Sequence, residues 1–375
     1  MKANNKNIGL ITWFKSENYG TNLQAYALYH KISSLGYNCY FVNEFDYNNI
    51  SLKDKLIVFL NKMHLLSFIK GIFVKSVNKS RFRKSIAFFD QFTRVVYVSS
   101  IKEHLQLLNN FDAFVSGSDQ IWNPNYFNPF YFLDFAGNKK RIAYASSIGV
   151  TTFTQKQSGQ IKPLVEKYDY CGIREDSGVK LLNSIIKSNF ARQVVDPTFL
   201  ISAREWLELT KKSSISIKGG YVLCYLIGNR HEYFQQIECI AKKYNACRIV
   251  VIPSIENPNL RVPYGKWDVD YYPQAGIEDF VKLINGASIV CTDSFHATAI
   301  SINLKKNFVE FMRFTLDDPK SQNSRITDIL KRYNLQNRIY GSNTDFCNID
   351  YAKVMPILQQ DIDSSVEFLK NALEN

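Results

Sequence analysis

The sequence of 375 residues lacks several features that would assign it to a common class of protein. Its seven cysteines are odd in number and scattered, and no pair has Cys-x-x-Cys spacing, which argues against a disulfide framework and a zinc site. No run reaches the ~18 uncharged apolar residues of a membrane-spanning helix. The apolar run that starts at Ile8 is too short for the core of a signal peptide. We therefore expect a cytoplasmic protein.

Motifs for nucleotides and metals are also missing. Residues 16–22, between the first predicted strand and helix, contain neither Gly-x-Gly-x-x-Gly nor the P-loop pattern, so neither a dinucleotide site nor a P-loop is expected. His30, His64, His104 and His231 show no spacing, with one another or with carboxylates, that favours a metal site. We expect no metal and no cofactor, and we interpret these four histidines as structural.

The composition indicates a large folded protein. Hydrophobic residues make up 46% of the chain and aromatic residues 14%, which excludes a disordered chain. The length exceeds the size at which one core keeps growing, so two domains are expected.

Most of the net charge of +12 lies in one segment. Residues 51–85 hold nine Lys and Arg residues and one acid, a net charge of +8. Apolar residues accompany them, a mixture that can lie on an anionic membrane surface. The apolar residues do not keep to one helical face and Gly71 interrupts them, so two short helices packed on the domain are the alternative. Nucleic acid is not expected, because interleaved aromatic residues are lacking.

Strand and helix patterns alternate along the chain, which predicts an α/β fold of two Rossmann-like doubly wound lobes with a cleft between them. The predicted boundaries are 1–198 for the first lobe, with a basic helical insert at about 51–100, and 199–345 for the second. Residues 346–375 are predicted as a helix that packs back on the first lobe. The predicted strands are 8–14, 38–42, 111–116, 141–146, 168–173, 194–197, 221–227, 247–252 and 307–311, with one more before His296.

The stretch ASIVCTDSFHATAISIN, residues 287–303, indicates a buried strand, a polar turn and a helix, with His296 at the carboxyl end of the strand. Ligands of open α/β sheets bind at that edge, and a helix N-terminus there favours anions. A histidine at this position can act as a general acid. The alternative is a helix cap formed by Asp293 and Ser294, with His296 packed nearby.

Six segments of the sequence resemble, in order, the signature blocks of the polysaccharide pyruvyl transferase family. The resemblance runs from about residue 8 to about residue 338. It implies a GT-B-like fold and transfer of the enolpyruvyl unit of phosphoenolpyruvate onto a sugar as a pyruvate ketal, with release of phosphate. One departure is Ala297, where family members commonly have glycine. The segments are NYGTNLQAYAL (18–28), VSGSDQIWN (115–123), IAYASSIG (142–149), REDS (174–177), DPT (196–198) and TDSFH (292–296).

The donor that this resemblance implies carries a phosphate and a carboxylate, which arginine forks bind well. Arg174 matches the pattern of the family and is one predicted ligand; Arg325 is the second. For each, an ion pair at the surface or between the lobes is the alternative. His296 is the predicted acid that protonates the methylene carbon of the donor.

Other residues are assigned more loosely. Asp119 is the predicted base near the acceptor, although it could cap the following turn. Ser146, Ser147 and Ser294 are predicted to face the donor, where small residues permit close approach. For the acceptor, the predicted contacts are the amides of Asn18 and Asn22, which could instead form a turn and a helix cap, and Trp122, which could instead belong to the core.

The partners expected are phosphoenolpyruvate and a saccharide acceptor, which can be linked to a lipid pyrophosphate, with contact to the inner face of an anionic membrane as a further hypothesis. Two other functions stay open. One is a nucleotide-sugar glycosyltransferase of the same two-lobe architecture, and the other is a non-catalytic glycan-binding protein, because fold alone does not separate them.

Overall fold

The computed structural model describes residues 5–45, 76–228, 230–256, 258, 265, 267–315, 318 and 321–375. Much of the predicted basic insert, residues 46–75, lies outside these ranges. Most of the basic residues that motivate the hypothesis of membrane contact therefore also lie outside the described residues. Within the described ranges, no helix is both long enough and apolar enough to cross a bilayer.

The first lobe is built on a seven-stranded parallel sheet with the order β3-β2-β1-β4-β5-β6-β7. Its inner strands are almost wholly buried, as expected where helices cover both faces of a parallel sheet. The strands are β1 Asn7–Ile11, β2 Asn38–Val42, β3 Val95–Val96, β4 Ala113–Gly117, β5 Lys140–Ser146, β6 Tyr170–Ile173 and β7 Ala191–Gln193. The helices are α1 Tyr19–Ser34, α2 Ser76–Phe92, α3 Ile101–Asn110, α4 Gln155–Val165 and α5 Asp176–Ile186.

The second lobe contains a five-stranded parallel sheet with the order β10-β9-β8-β11-β12. Both sheets reverse their strand order, between β1 and β4 and between β8 and β11, which are the points where ligands bind in doubly wound folds. The strands are β8 Tyr221–Tyr225, β9 Arg248–Val251, β10 Asp268–Tyr271, β11 Ile289–Thr292 and β12 Phe308–Glu310. The helices that follow β7 are α6 Ala203–Thr210, α7 His231–Lys243, α8 Ile277–Gly286, α9 Phe295–Asn303, α10 Ser324–Arg332 and α11 Tyr351–Glu374. The predicted two-lobe α/β fold is confirmed.

Some strands differ from the prediction. The strand predicted at residues 194–197 is wrong: the strand there is β7, three residues earlier, and a short 3₁₀ turn, Pro197–Phe199, follows because the carboxylate of Asp196 caps the N–H of Thr198. The edge strands β3 and β10 were missed. The first is two residues long and the second is partly exposed and acidic, so neither shows a buried apolar run.

The helix α11 lies against the first lobe. The Lys6 ammonium donates to the carbonyl oxygens of Leu373 and Glu374 at 3.3 and 2.9 Å, and the backbone N–H of Val195 donates to Ser365 Oγ at 3.0 Å. The chain thus returns from the second sheet to the end of the first.

Two basic residues at the end of the positively charged segment bridge the lobes. The guanidinium of Arg81 on α2 is 2% exposed and donates to the carbonyls of Pro253 and Pro273 at 3.0 and 2.8 Å. Three residues later, Lys84 pairs with Asp279 at 3.1 Å. These two basic residues are therefore used between the lobes, and membrane contact by the other basic residues of the segment 51–85 stays a prediction.

Replacing Arg81 with alanine should weaken the contact between the lobes. A hydrogen bond from a charged group contributes about 1.5–3 kcal/mol, so we expect the free energy of unfolding in urea to fall by about that amount. Arg83 is exposed on the same helix, and Arg83→Ala should change this free energy by less than about 0.5 kcal/mol. Equal unfolding midpoints for the two variants would contradict the bridging role.

Candidate active site

The imidazole of His296 lies where the carboxyl ends of the two sheets meet. Ser294 caps α9, so His296 is the second residue of the helix, and its side chain is nearly buried at 6% exposure. Its Nε2 atom lies 3.4 Å from Arg174 Nη1 and 3.5 Å from Asp196 Oδ2. Residues of both lobes therefore form one site around this ring.

Arg174 follows β6 and is buried among acids. Its Nε donates to Glu175 Oε1 at 3.0 Å, its Nη1 donates to Asp196 Oδ2 at 2.8 Å, and its Cζ lies 4.1 Å from the centroid of the Phe295 ring. Burial alone would lower the pKa of this guanidinium, but the charges of Glu175 and Asp196 raise it above its usual value. Its buried Nη2 has no hydrogen-bond partner in the described part of the chain.

Asp196 links the lobes electrostatically. Its Oδ1 accepts from the N–H and the hydroxyl of Thr198, and its Oδ2 accepts from Ser118 Oγ as well as from Arg174. Burial would raise the pKa of this carboxyl, but His296 and then Arg174 hold it well below its usual range. Asp196 is therefore an anion held between the guanidinium of Arg174 and the imidazole of His296.

Arg325 on α10 is a buried cation without a counter-ion among the described residues. It is 7% exposed, its Nη2 donates to Gln322 Oε1 at 2.8 Å, and its Nε has no partner. Burial lowers its pKa to about 10, and the like charges of Arg174 and Arg313 act in the same direction. The site thus contains a buried guanidinium that forms no ion pair with an acid among the described residues.

Two helix N-termini also point into this region. Neither of the first two backbone N–H groups of α1, those of Tyr19 and Gly20, donates a hydrogen bond within the described chain, and Phe295 and His296 have the same position in α9. Free N–H groups at helix starts favour anions. Gly20 faces the imidazole so closely that a Cβ on it would lie 2.1 Å from His296 Nδ1.

Asp119 occupies the turn after β4 in a strained conformation. Its φ of 57° is in the left-handed region, which costs energy for a residue with a side chain. Its Oδ2 accepts from Thr21 Oγ1 at 2.6 Å and its Oδ1 accepts from the N–H of Gln120 at 2.9 Å. Both carboxylate oxygens are therefore already hydrogen bonded.

Comparison of the sequence with known families identifies its relatives. The model of the family described as polysaccharide pyruvyl transferase matches residues 18–311. The chain belongs to the polysaccharide pyruvyl transferase family. No curated protein matches its sequence.

Solved structures share the fold of this family member at low sequence identity. A glycosyltransferase from Rickettsia africae is 10% identical with a TM-score of 0.50, and the match covers 99% of this chain and 100% of that one. A putative UDP-N-acetylglucosamine 2-epimerase from Listeria monocytogenes is 10% identical with a TM-score of 0.50 over 96% and 90% of the two chains. Such identities show a shared architecture and nothing about the substrate.

The structure brings together some of the residues that were predicted from the sequence for the active site of this pyruvyl transferase family member. Arg174 contacts His296, and the charges of Arg174 and Asp119 both act on Arg325. Ser294 caps α9, accepting from the N–H of Ala297 at 3.5 Å. These residues form the core of the candidate site.

The two predicted serines at the carboxyl end of β5 form hydrogen bonds with neighbouring groups. Ser146 is fully buried and its Oγ donates to the carbonyl of Ser116 at 3.1 Å. Ser147 Oγ donates to Glu175 Oε1 at 2.5 Å. Ser147 therefore supports the carboxylate that pairs with Arg174, and neither hydroxyl is free for the donor.

Two residues proposed for the acceptor are structural instead. Trp122 is 1% exposed, is stacked on Phe132 at 4.9 Å, and donates its indole N–H to Ser116 Oγ and the carbonyl of Tyr131, so no face is open to a sugar. Asn22 uses both ends of its amide on the backbone of Ser16.

Asn18 is the cap of α1. Its Oδ1 accepts from the N–H of Thr21 at 3.3 Å, which is the turn-and-cap alternative that the sequence allowed. Asn18 remains partly exposed.

Glu175, Asp196 and Arg313 were missed as site residues. Glu175 and Asp196 lie inside the REDS and DPT segments. The motifs therefore marked these positions but did not show that the two carboxylates form ion pairs. Arg313 follows β12 with no motif around it; its Nη2 donates to the carbonyl of Asp293 at 3.2 Å. Within the described residues, no group of three or more His, Cys, Asp or Glu side chains could hold a metal ion.

Gly20→Ala should displace the imidazole of His296, because the added methyl group would overlap Nδ1. We expect the ring resonances of His296 to shift in histidine-selective NMR spectra of the labelled protein. The control is Gly159→Ala in α4, where a Cβ would meet nothing within 4 Å, and it should leave these resonances unchanged. Unshifted His296 resonances in the Gly20 variant would show that the close contact does not exist in solution.

Proposed function

We propose that the protein transfers the enolpyruvyl unit of phosphoenolpyruvate onto a sugar of a surface polysaccharide or its lipid-linked precursor, forming a pyruvate ketal and releasing phosphate. The observation that carries the proposal is the buried guanidinium of Arg325, which has no counter-ion in the described chain and lies in the field of Arg174 and Arg313. A buried cation without a counter-ion is stabilised by an anionic ligand. Phosphoenolpyruvate has two anionic groups on one carbon framework.

The arrangement supports a division of roles. The free donors of Arg174 and Arg325, together with the starts of α1 and α9, would hold the phosphate and the carboxylate. His296, beside this anion site, would give a proton to the methylene carbon, so that positive charge develops at the central carbon. A sugar hydroxyl would attack that carbon, and a second hydroxyl of the same sugar would then displace phosphate and close the ketal ring.

Phosphate release from phosphoenolpyruvate tests this proposal. The purified protein, given a panel of galactosides, glucosides and N-acetylhexosaminides, should release phosphate only with an acceptor, and the product mass should increase by a pyruvate ketal. His296→Ala should lower kcat by roughly 10²–10⁴-fold, the usual contribution of a general acid. Arg174→Ala should raise the KM for the donor roughly tenfold to a hundredfold, since a charged hydrogen bond contributes ~1.5–3 kcal/mol.

Arg83→Ala, on the exposed face of α2, is the matched control and should leave both constants unchanged. No release with any acceptor and no binding of phosphoenolpyruvate would contradict the proposal. Binding of a nucleoside diphosphate in that case would favour a glycosyltransferase, and unchanged biological activity of His296→Ala would favour a non-catalytic glycan-binding protein.

Contact with an anionic membrane is a separate prediction, motivated by the basic residues outside the described ranges. Changing Lys53, Lys55, Lys62, Lys70 and Lys75 to glutamine should abolish binding to anionic vesicles in a low-salt sedimentation assay, because surface attraction depends on these charges. Vesicle binding that is absent in the unmodified protein, or equal in the variant, would exclude the interaction.

A further inference from the structure

The side chain of Glu310, the last residue of β12, is completely buried against α9, the helix that carries His296. Its Oε2 forms a hydrogen bond with the hydroxyl group of Thr298, which is also completely buried and lies two residues after His296. Its Oε1 has no hydrogen-bond partner in the described part of the chain. Among the described residues, the carboxyl group of Glu310 therefore depends on a single hydroxyl group.

The charged groups around Glu310 do not neutralise it. Burial raises the pKa of this carboxyl well above its usual value, and the charge of Asp293 acts in the same direction, against the hydrogen bond with Thr298 and the charge of Arg313. Arg313 is engaged with Asp293: its Nη2 donates to the Asp293 carbonyl at 3.2 Å, and its Nε lies 3.6 Å from Asp293 Oδ2. Arg338, beside the residue that bridges to Glu310, donates to two backbone carbonyls. An ionised Glu310 would be a buried charge without an ion pair of its own, which is costly.

The hydrogen bonds of Thr298 indicate where the proton lies. Its Oγ1 donates to the carbonyl oxygen of Ser294 at 3.1 Å and also contacts Glu310 Oε2. A hydroxyl group has one hydrogen to donate, and a carbonyl oxygen can only accept. When Thr298 donates to Ser294, its contact with Glu310 is a hydrogen bond only if the carboxyl group carries a proton and donates it to Oγ1. In that arrangement both hydrogens are used and no charge is buried.

This chain of hydrogen bonds ends at the first turn of α9. The carbonyl of Ser294 also accepts from the N–H of Thr298 at 3.0 Å, and Ser294 Oγ accepts from the N–H of Ala297 at 3.5 Å. His296 lies within the turn that these bonds close. A shift of this turn would move the imidazole relative to Arg174, which lies 3.4 Å from its Nε2.

We propose that Glu310 is a neutral carboxylic acid in the folded protein and that its hydrogen bond to Thr298 fixes the first turn of α9, which makes Glu310 a positioning residue for His296. The inference rests on the proposed function for the role of His296, whereas the protonation of Glu310 depends on the fold alone. Glu310 is completely buried, so it touches no substrate and acts only through Thr298 and Ser294.

Protonation is tested by unfolding in urea between about pH 6 and pH 8, with Glu310→Gln as the variant, because glutamine keeps the shape of the side chain and is neutral at every pH. The unfolded chain loses the Glu310 proton above the ordinary pKa of a glutamate, whereas the folded protein keeps it, so stability is lost as the pH rises. Relative to Glu310→Gln, the equilibrium constant for unfolding of the unmodified protein should increase about tenfold per pH unit.

Glu367→Gln, exposed on α11, is the matched control, and its unfolding constant should keep a fixed ratio to that of the unmodified protein because this side chain meets water in both states. A fixed ratio for Glu310→Gln as well would show that Glu310 is ionised in the folded protein and would overturn the inference. The amide of glutamine can donate to Thr298 as the acid does, so a Glu310→Gln variant that does not fold would overturn it too.

The positioning role is tested by histidine-selective NMR in the absence of any donor. Thr298→Val keeps the shape of the side chain but removes the hydroxyl group, so the ring resonances of His296 should shift, and Thr298→Ser should leave them in place. The matched control is Ser301→Ala, which removes another buried hydroxyl group of α9, one that donates to the carbonyl of Ala297 at 2.7 Å. Unshifted resonances in Thr298→Val, or an equal shift in Ser301→Ala, would contradict the role.

Neither measurement uses a donor, so failure of phosphoenolpyruvate chemistry would leave both results unaffected and the two proposals fail separately. In the transfer reaction, Glu310→Leu should lower kcat roughly tenfold to a hundredfold, because a small displacement of a catalytic group has an effect of that size. Glu310→Gln should rescue kcat. An unchanged kcat in Glu310→Leu, or an equally low kcat in both variants, would show that the hydrogen bond to Thr298 does not position His296.

Discussion

The carboxylate of Asp196 is the group on which the arrangement of the two lobes depends. It is buried between the guanidinium of Arg174, from its own lobe, and the imidazole of His296, from the other lobe. Burying a carboxylate and a guanidinium is costly unless they satisfy one another, and the imidazole joins them only where the two lobes are in contact. The same contact assembles the candidate site.

This contact requires the backbones of the two lobes to approach closely. Gly20, at the start of α1, leaves the space that the imidazole of His296 occupies. Away from the site, Arg81 and the helix α11 hold the lobes from opposite ends, through carbonyl groups that have no sequence signature. The cleft is therefore formed by the packing of the two lobes against each other.

The buried charges of the site are unevenly paired. Arg174 pairs with Glu175 and Asp196, whereas the guanidinium of Arg325 has no counter-ion among the described residues. An anionic ligand would supply the missing negative charge.

The sequence by itself determined the α/β class, the two lobes, the buried strands and the positions of Arg174 and His296, because apolar periodicity and motifs are local and the carboxyl ends of parallel strands share one edge. Only the tertiary structure decided which polar groups are free. Trp122 and Asn22 looked available in the sequence but are used by their neighbours, and Glu175, which was missed in the sequence, pairs with Arg174 in the structure. Availability of a side chain depends on contacts between residues that are distant in the sequence, and no local pattern records these contacts.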